Sequence, residues 1–65
     1  MNTKEEILSH LKEMLKMESH AHNMYSELAS SVENPALKNF LLEIAEEESV
    51  HAKIVGDLMK LIGEG

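Results

Sequence analysis

The chain has 65 residues, twelve acidic against six basic side chains for a formal charge of −6, and neither cysteine nor tryptophan. The missing cysteines exclude disulfide staples, thiolate zinc sites and a rubredoxin-type iron centre. The acidic balance argues against nucleic acid and anionic membrane surfaces and suits cations.

At this length one domain is the limit, spanning residues 1–65, and its core is thin unless a metal or a second copy adds to it. Leu, Glu, Lys, Ala and Met dominate, while tyrosine and phenylalanine occur once each. Such helix formers predict an all-α fold. The opening Met1-Asn2-Thr3-Lys4-Glu5-Glu6 has no apolar signal core, and no uninterrupted apolar run approaches a membrane span. A soluble, cytoplasmic protein is the expectation.

Thr3 followed three residues later by Glu6 reads as a capping box opening a helix. From about residue 4 to 31 a regular seam runs Ile7, Leu11, Met14, Glu18, Ala21, Tyr25, Leu28 and Val32. Its steps alternate four and three, so all eight share one helix face. Glu18 is the only charged member. Leu8, Leu15 and Ala29 widen the stripe on one side.

Ser30-Ser31-Val32-Glu33-Asn34-Pro35 is the single break. Asn34 suits an N-cap, and Pro35 suits the first helical position, where its missing N–H does no harm. A second helix is predicted over about 35–62, with Gly63 ending it. Gly56 within it costs about 1 kcal/mol against Ala, too little to end so long a pattern. The second seam reads Leu37, Leu41, Ile44, Glu48, His51, Val55, Leu58 and Ile62. Only Glu48 and His51 interrupt the aliphatic line, and three residues apart they point the same way. A connection this short makes the helices antiparallel neighbours.

Glu33, inside the connection, is midway between Glu18 and Glu48, so a hairpin sets the two carboxylates at similar depth. Each helix is about 40 Å long at about 1.5 Å per residue, and both polar interruptions fall near mid-length. Burying a carboxylate or imidazole without a partner costs several kcal/mol, and a divalent metal is one such partner. A lone hairpin cannot bury so wide a stripe, so two-fold pairing into a four-helix bundle is expected. Its centre would hold four carboxylates and two imidazoles, the ligand set of a di-iron carboxylate bundle, with the carboxylates balancing two divalent ions.

Glu18 with Tyr25 seven residues on, Asn34-Pro35-Ala36-Leu37-Lys38, and Glu47-Glu48-Ser49-Val50-His51-Ala52 together resemble the ferritin-like superfamily, rubrerythrins in particular. The pattern is most similar to encapsulated ferritins, whose single-hairpin subunits complete the four-helix site by pairing, and it extends from about Leu11 to Ile62. The resemblance implies that Glu18, Glu48 and His51 bind iron, two ions per dimer, across the subunit interface. It also implies that Fe(II) is oxidised there by oxygen or peroxide for iron storage or detoxification, with Tyr25 in the catalytic set. An encapsulin-type shell is the implied partner. His20 stands where the family often has an acid, and the sequence ends at Gly65 without the docking extension encapsulated ferritins usually carry.

Beside the ferroxidase stand a rubrerythrin-like peroxidase, which without cysteine needs an external electron donor, a zinc- or manganese-stabilised assembly module, and a metal-free helical interaction protein. Glu46 and Glu47 are expected in solvent or behind the ligands, with Glu47 nearer a metal. His10 and His20 are expected at the surface. His22, one turn past Glu18, is open between a surface or interface position, support of the site and an extra metal ligand. Met17 and Met24 share a stripe with His10 that suits packing against another subunit or a soft metal.

Overall fold

The computed structural model describes residues 3–64, Glu64 in its backbone only; Met1, Asn2 and Gly65, included in the predicted domain, lie outside the described residues. Two helices, α1 (Lys4–Ser31) and α2 (Pro35–Glu64), pack as an antiparallel hairpin, and there is no strand among the described residues. Thr3 caps α1, its Oγ1 accepting from the Glu6 N–H at 3.2 Å. The Glu6 carboxylate turns back to the Thr3 hydroxyl at 3.3 Å, so the reciprocal half of the box runs through the side chain. At the other end Ser30 and Ser31 return their hydroxyls to the carbonyls of Glu27 and Leu28. Asn34 then caps α2, its Oδ1 accepting from the Leu37 N–H at 3.0 Å.

Two expectations are corrected. Gly63 does not end α2, which continues through it to Glu64 without a positive φ. The reason lies in α1: Lys4 Nζ donates to the Gly63 carbonyl at 3.3 Å, so a terminal acceptor is met by a cation across the hairpin. No left-handed glycine turn is needed to satisfy it.

The second correction concerns which line of each stripe meets the other helix. In α1 the inner line runs Leu8, Leu11, Leu15, Glu18, His22, Tyr25 and Ala29, continuing to Val32 just past its end, all buried or half-buried; Ile7, Ala21 and Ser26 beside it are half-buried too. In α2 the inner line runs Lys38, Leu41, Ala45, Glu48, Ala52, Val55, Met59 and Ile62, and Ile44 and Gly56 beside it are half-buried too. Each line shares every other member with the predicted seam and replaces the rest by the neighbour one residue along. Met14, Leu28, Leu37 and Leu58, predicted to be inside, are 45%, 50%, 47% and 42% exposed. Only Leu11, Ala29, Leu41, Ala45 and Val55 are buried, against eleven exposed large apolar side chains among the described residues. A hairpin alone therefore covers one line of each stripe and the neighbouring line only in part, at Ile7, Ala21 and Ile44, with Met14, Leu28, Leu37 and Leu58 left open.

The shape agrees. The molecule measures 48 × 15 × 15 Å with a radius of gyration of 15.0 Å, where a compact chain of this length would have about 11 Å. No helix among the described residues is long and apolar enough to cross a membrane.

Gly56 gives a direct probe of this geometry. A Cβ built there meets nothing within 4 Å, so in the free hairpin Gly56→Ala gains helix propensity without a clash, about 0.5–1 kcal/mol. Thermal melting of the metal-free chain at low concentration should rise by several degrees, and a fall instead would mean that a second molecule already packs against this position.

Candidate metal centre

Glu18 sits at the middle of α1 between Leu15 and His22 on the inner line, and Glu48 sits at the middle of α2 between Ala45 and Ala52. The antiparallel register brings the two carboxylates together, and His51, one turn past Glu48, completes a cluster. One ligand atom from each of Glu18, Glu48 and His51 lies within 4.8 Å of the other two. Both glutamates are half-buried and His51 is exposed, so the cluster opens toward the side of the hairpin where Met14, Leu28, Leu37 and Leu58 are uncovered.

Its electrostatics are unsettled by protein groups alone. His51 Nδ1 stands 3.7 Å from Glu18 Oε2, too far for a hydrogen bond and attractive only when the imidazole is charged. Glu18 Oε2 is buried and has no hydrogen-bond partner. Glu48 has its carboxyl pKa pushed up from the ordinary 4.5, first by a hydrogen bond shared with Glu18, then by burial and by the Glu18 charge; Glu47 adds to the rise and His51 opposes it. A second carboxylate this close disfavours the ionised form of Glu48.

A divalent cation fits these residues. It would give the orphaned Glu18 oxygen a partner, offset the repulsion between the two carboxyls, and accept the imidazole nitrogen, in a mixed carboxylate–imidazole set that suits iron. Such ions hold oxygen and nitrogen at about 2.0–2.2 Å, so the atoms must draw closer than their present spread of up to 4.8 Å to share one ion.

Of the residues singled out from sequence, the structure joins Glu18, Glu48 and His51, and Tyr25 is half-buried two turns along α1 from Glu18. Glu46, Glu47, His10 and His20 are exposed, and so are Met17 and Met24 at 69% and 55%. His22 lies at the helix–helix contact, with Nδ1 2.7 Å from the Ala45 carbonyl. Sequence reasoning did not find that bond. Its signal was a histidine four residues past Glu18 on the line of Leu11, Leu15 and Ala29, opposite a residue small enough to bare its carbonyl.

Residues 9–65 match the protein-family model described as Rubrerythrin. The match is to that family as a whole and does not single out encapsulated ferritins. Neither the curated proteins nor the solved structures give a match to the chain.

Proposed function

The chain belongs to the rubrerythrin family, whose members typically bind iron, and from that premise we propose that it oxidises Fe(II) to Fe(III) at a di-iron site shared by two copies. The observation that carries the proposal is the convergence of Glu18, Glu48 and His51 within 4.8 Å on the uncovered side of the hairpin, with a buried carboxylate oxygen left unpartnered. One chain supplies two carboxylates and one imidazole. Two chains related by a two-fold axis supply four and two, enough to hold two ions and to offset their charge.

Fe(II) is then the substrate. Two ions give up one electron each, and dioxygen takes the pair with two protons to become hydrogen peroxide; with peroxide as acceptor the product is water. Glu18 and Glu48 hold the ions as carboxylates, so metal competes with the proton that Glu48 binds more readily than an ordinary carboxyl. His51 binds through a neutral ring nitrogen. Met14, on the uncovered line one turn from Glu18, is the apolar side chain of that line nearest the pair and helps keep bulk water out. Tyr25, on the same line of α1 as Glu18, is assigned a place beside the site, where Tyr25→Phe separates the phenol from packing. The encapsulated-ferritin resemblance extends the proposal to a cytoplasmic location within an encapsulin-type shell.

The test joins mass to chemistry. Protein purified without chelators should take up two irons per dimer, and Fe(II) added anaerobically should give near-ultraviolet Fe(III) absorbance once oxygen or peroxide is admitted. Native mass spectrometry showing a compact monomer carrying iron, or Fe(II) oxidation no faster than in buffer, would defeat the proposal.

A further inference from the structure

A carbonyl has no hydrogen to give, so in the 2.7 Å contact between His22 Nδ1 and the Ala45 carbonyl the ring is the donor. The neutral ring thus carries its proton on Nδ1. His22 follows Glu18 by four residues on α1, and Ala45 precedes Glu48 by three on α2. In an antiparallel pair the bond therefore spans the helices one turn from the carboxylates, on the side of the connection. Among the described residues the polar side chains also meet across the helices where Lys4 donates to Gly63 at the open end and, within the centre itself, where Glu18 faces both Glu48 and His51.

Near the bond the inner lines carry small side chains, Ala29 on α1 and Ala45 and Ala52 on α2. Apolar burial is non-directional and fixes axial register poorly. A hydrogen bond is directional and weakens steeply when misaligned. A slip of one residue would move Glu48 by about 1.5 Å along the axis, several times the ±0.2 Å within which metal–ligand distances are held.

We propose that His22 is a positioning residue for the Glu18–Glu48–His51 centre: its Nδ1–H, given to the Ala45 carbonyl, locks the register in which the two carboxylates face each other. His22 binds no metal in this role. It acts through the backbone of α2, and it presupposes the metal-centre reading only where metal affinity is the measure.

Three variants of the full chain test it. His22→Asn places an amide N–H on the γ-carbon, where Nδ1 is; His22→Gln carries it one bond farther out; His22→Leu fills the space without a donor. A metal-free arm records nuclear Overhauser contacts between the γ protons of Glu18 and Glu48. A second arm titrates cobalt(II), whose visible spectrum reports ligand geometry. The native chain and His22→Asn should share the contacts and agree in cobalt affinity within about threefold. His22→Gln and His22→Leu should lose the contacts and bind about 10–100-fold more weakly, with His22→Leu melting no lower than the native chain. Retention of contacts and affinity by His22→Leu or His22→Gln overturns the proposal, as does a failure of His22→Asn to restore them. If the native chain takes up no cobalt, the metal-centre reading falls, and the metal-free arm still decides what His22 does.

Discussion

Glu18→Ala, Glu48→Ala and His51→Ala are each expected to lower the initial rate of Fe(II) oxidation by more than about 100-fold, because losing groups that merely support ligands already costs 10–100-fold. Helix content should hardly change. The fold rests on Leu11, Ala29, Leu41, Ala45 and Val55, and none of the three substitutions touches these. The two glutamate variants separate further from the histidine variant without metal. Removing either carboxyl takes away the partner that raises the Glu48 pKa, or Glu48 itself, and so relieves a repulsion; His51→Ala removes the one opposing charge. Stopped-flow absorbance with circular dichroism on the same samples checks both statements, and near-native oxidation in any two variants would refute the ligand assignment.

The second large effect links metal, protons and assembly. Without metal, pairing two hairpins gathers four carboxylates in a poorly hydrated centre, where they repel or take up protons. In the proposed dimer two divalent ions would remove that penalty and bond across the interface, so metal is expected to tighten it, by about 2.7 kcal/mol per site when free ion stands at one hundred times its dissociation constant. The pH trends run in opposite directions. Glu48 binds its proton more tightly folded than unfolded, so its contribution to metal-free stability is present in acid and is lost as pH rises from about 4.5 through the raised folded value. Metal binding strengthens over the same range as the ligands shed protons. The gap between metal-loaded and metal-free melting temperatures should therefore widen from pH 4.5 to 7. Replacing Glu18 and Glu48 together by Gln should stabilise the metal-free dimer and abolish the gap. Equal dimer dissociation constants with and without Fe(II), measured by anaerobic ultracentrifugation, would show that the site does not bridge two copies.

Much of this architecture was legible in the chain because single residues carry it. Thr3, Asn34 and Pro35 announce the helix starts through local hydrogen bonding that a sequence displays directly. The cluster was legible because Glu18, Glu48 and His51 are the interruptions of otherwise aliphatic lines. The choice between adjacent lines was not. Leu8, Leu15 and Ala29 read as widening a stripe when they in fact face α2, because periodicity defines a face about two residues wide and does not say which half meets the same chain. Gly63 was misread for a related reason: the cation that satisfies its carbonyl is Lys4, fifty-nine residues away in sequence. The donor role of His22 needed the depth at which two helices meet.

The position of the cross-links along the rod also sets the order in which it comes apart. Lys4 holds Gly63 at the free ends, Glu18 meets Glu48 at mid-length, and His22 meets Ala45 nearer the connection. Fraying that begins at the termini must release the Lys4 contact, then the inner-line residues Leu8, Leu11 and Leu15, before it reaches a carboxylate. Amide hydrogen exchange should accordingly slow from the ends toward the middle of both helices, since partial opening costs less than global unfolding and proceeds in contiguous units. The centre thus sits behind several turns of sacrificial helix, and the breathing of the tips is insulated from the carboxylates they shelter.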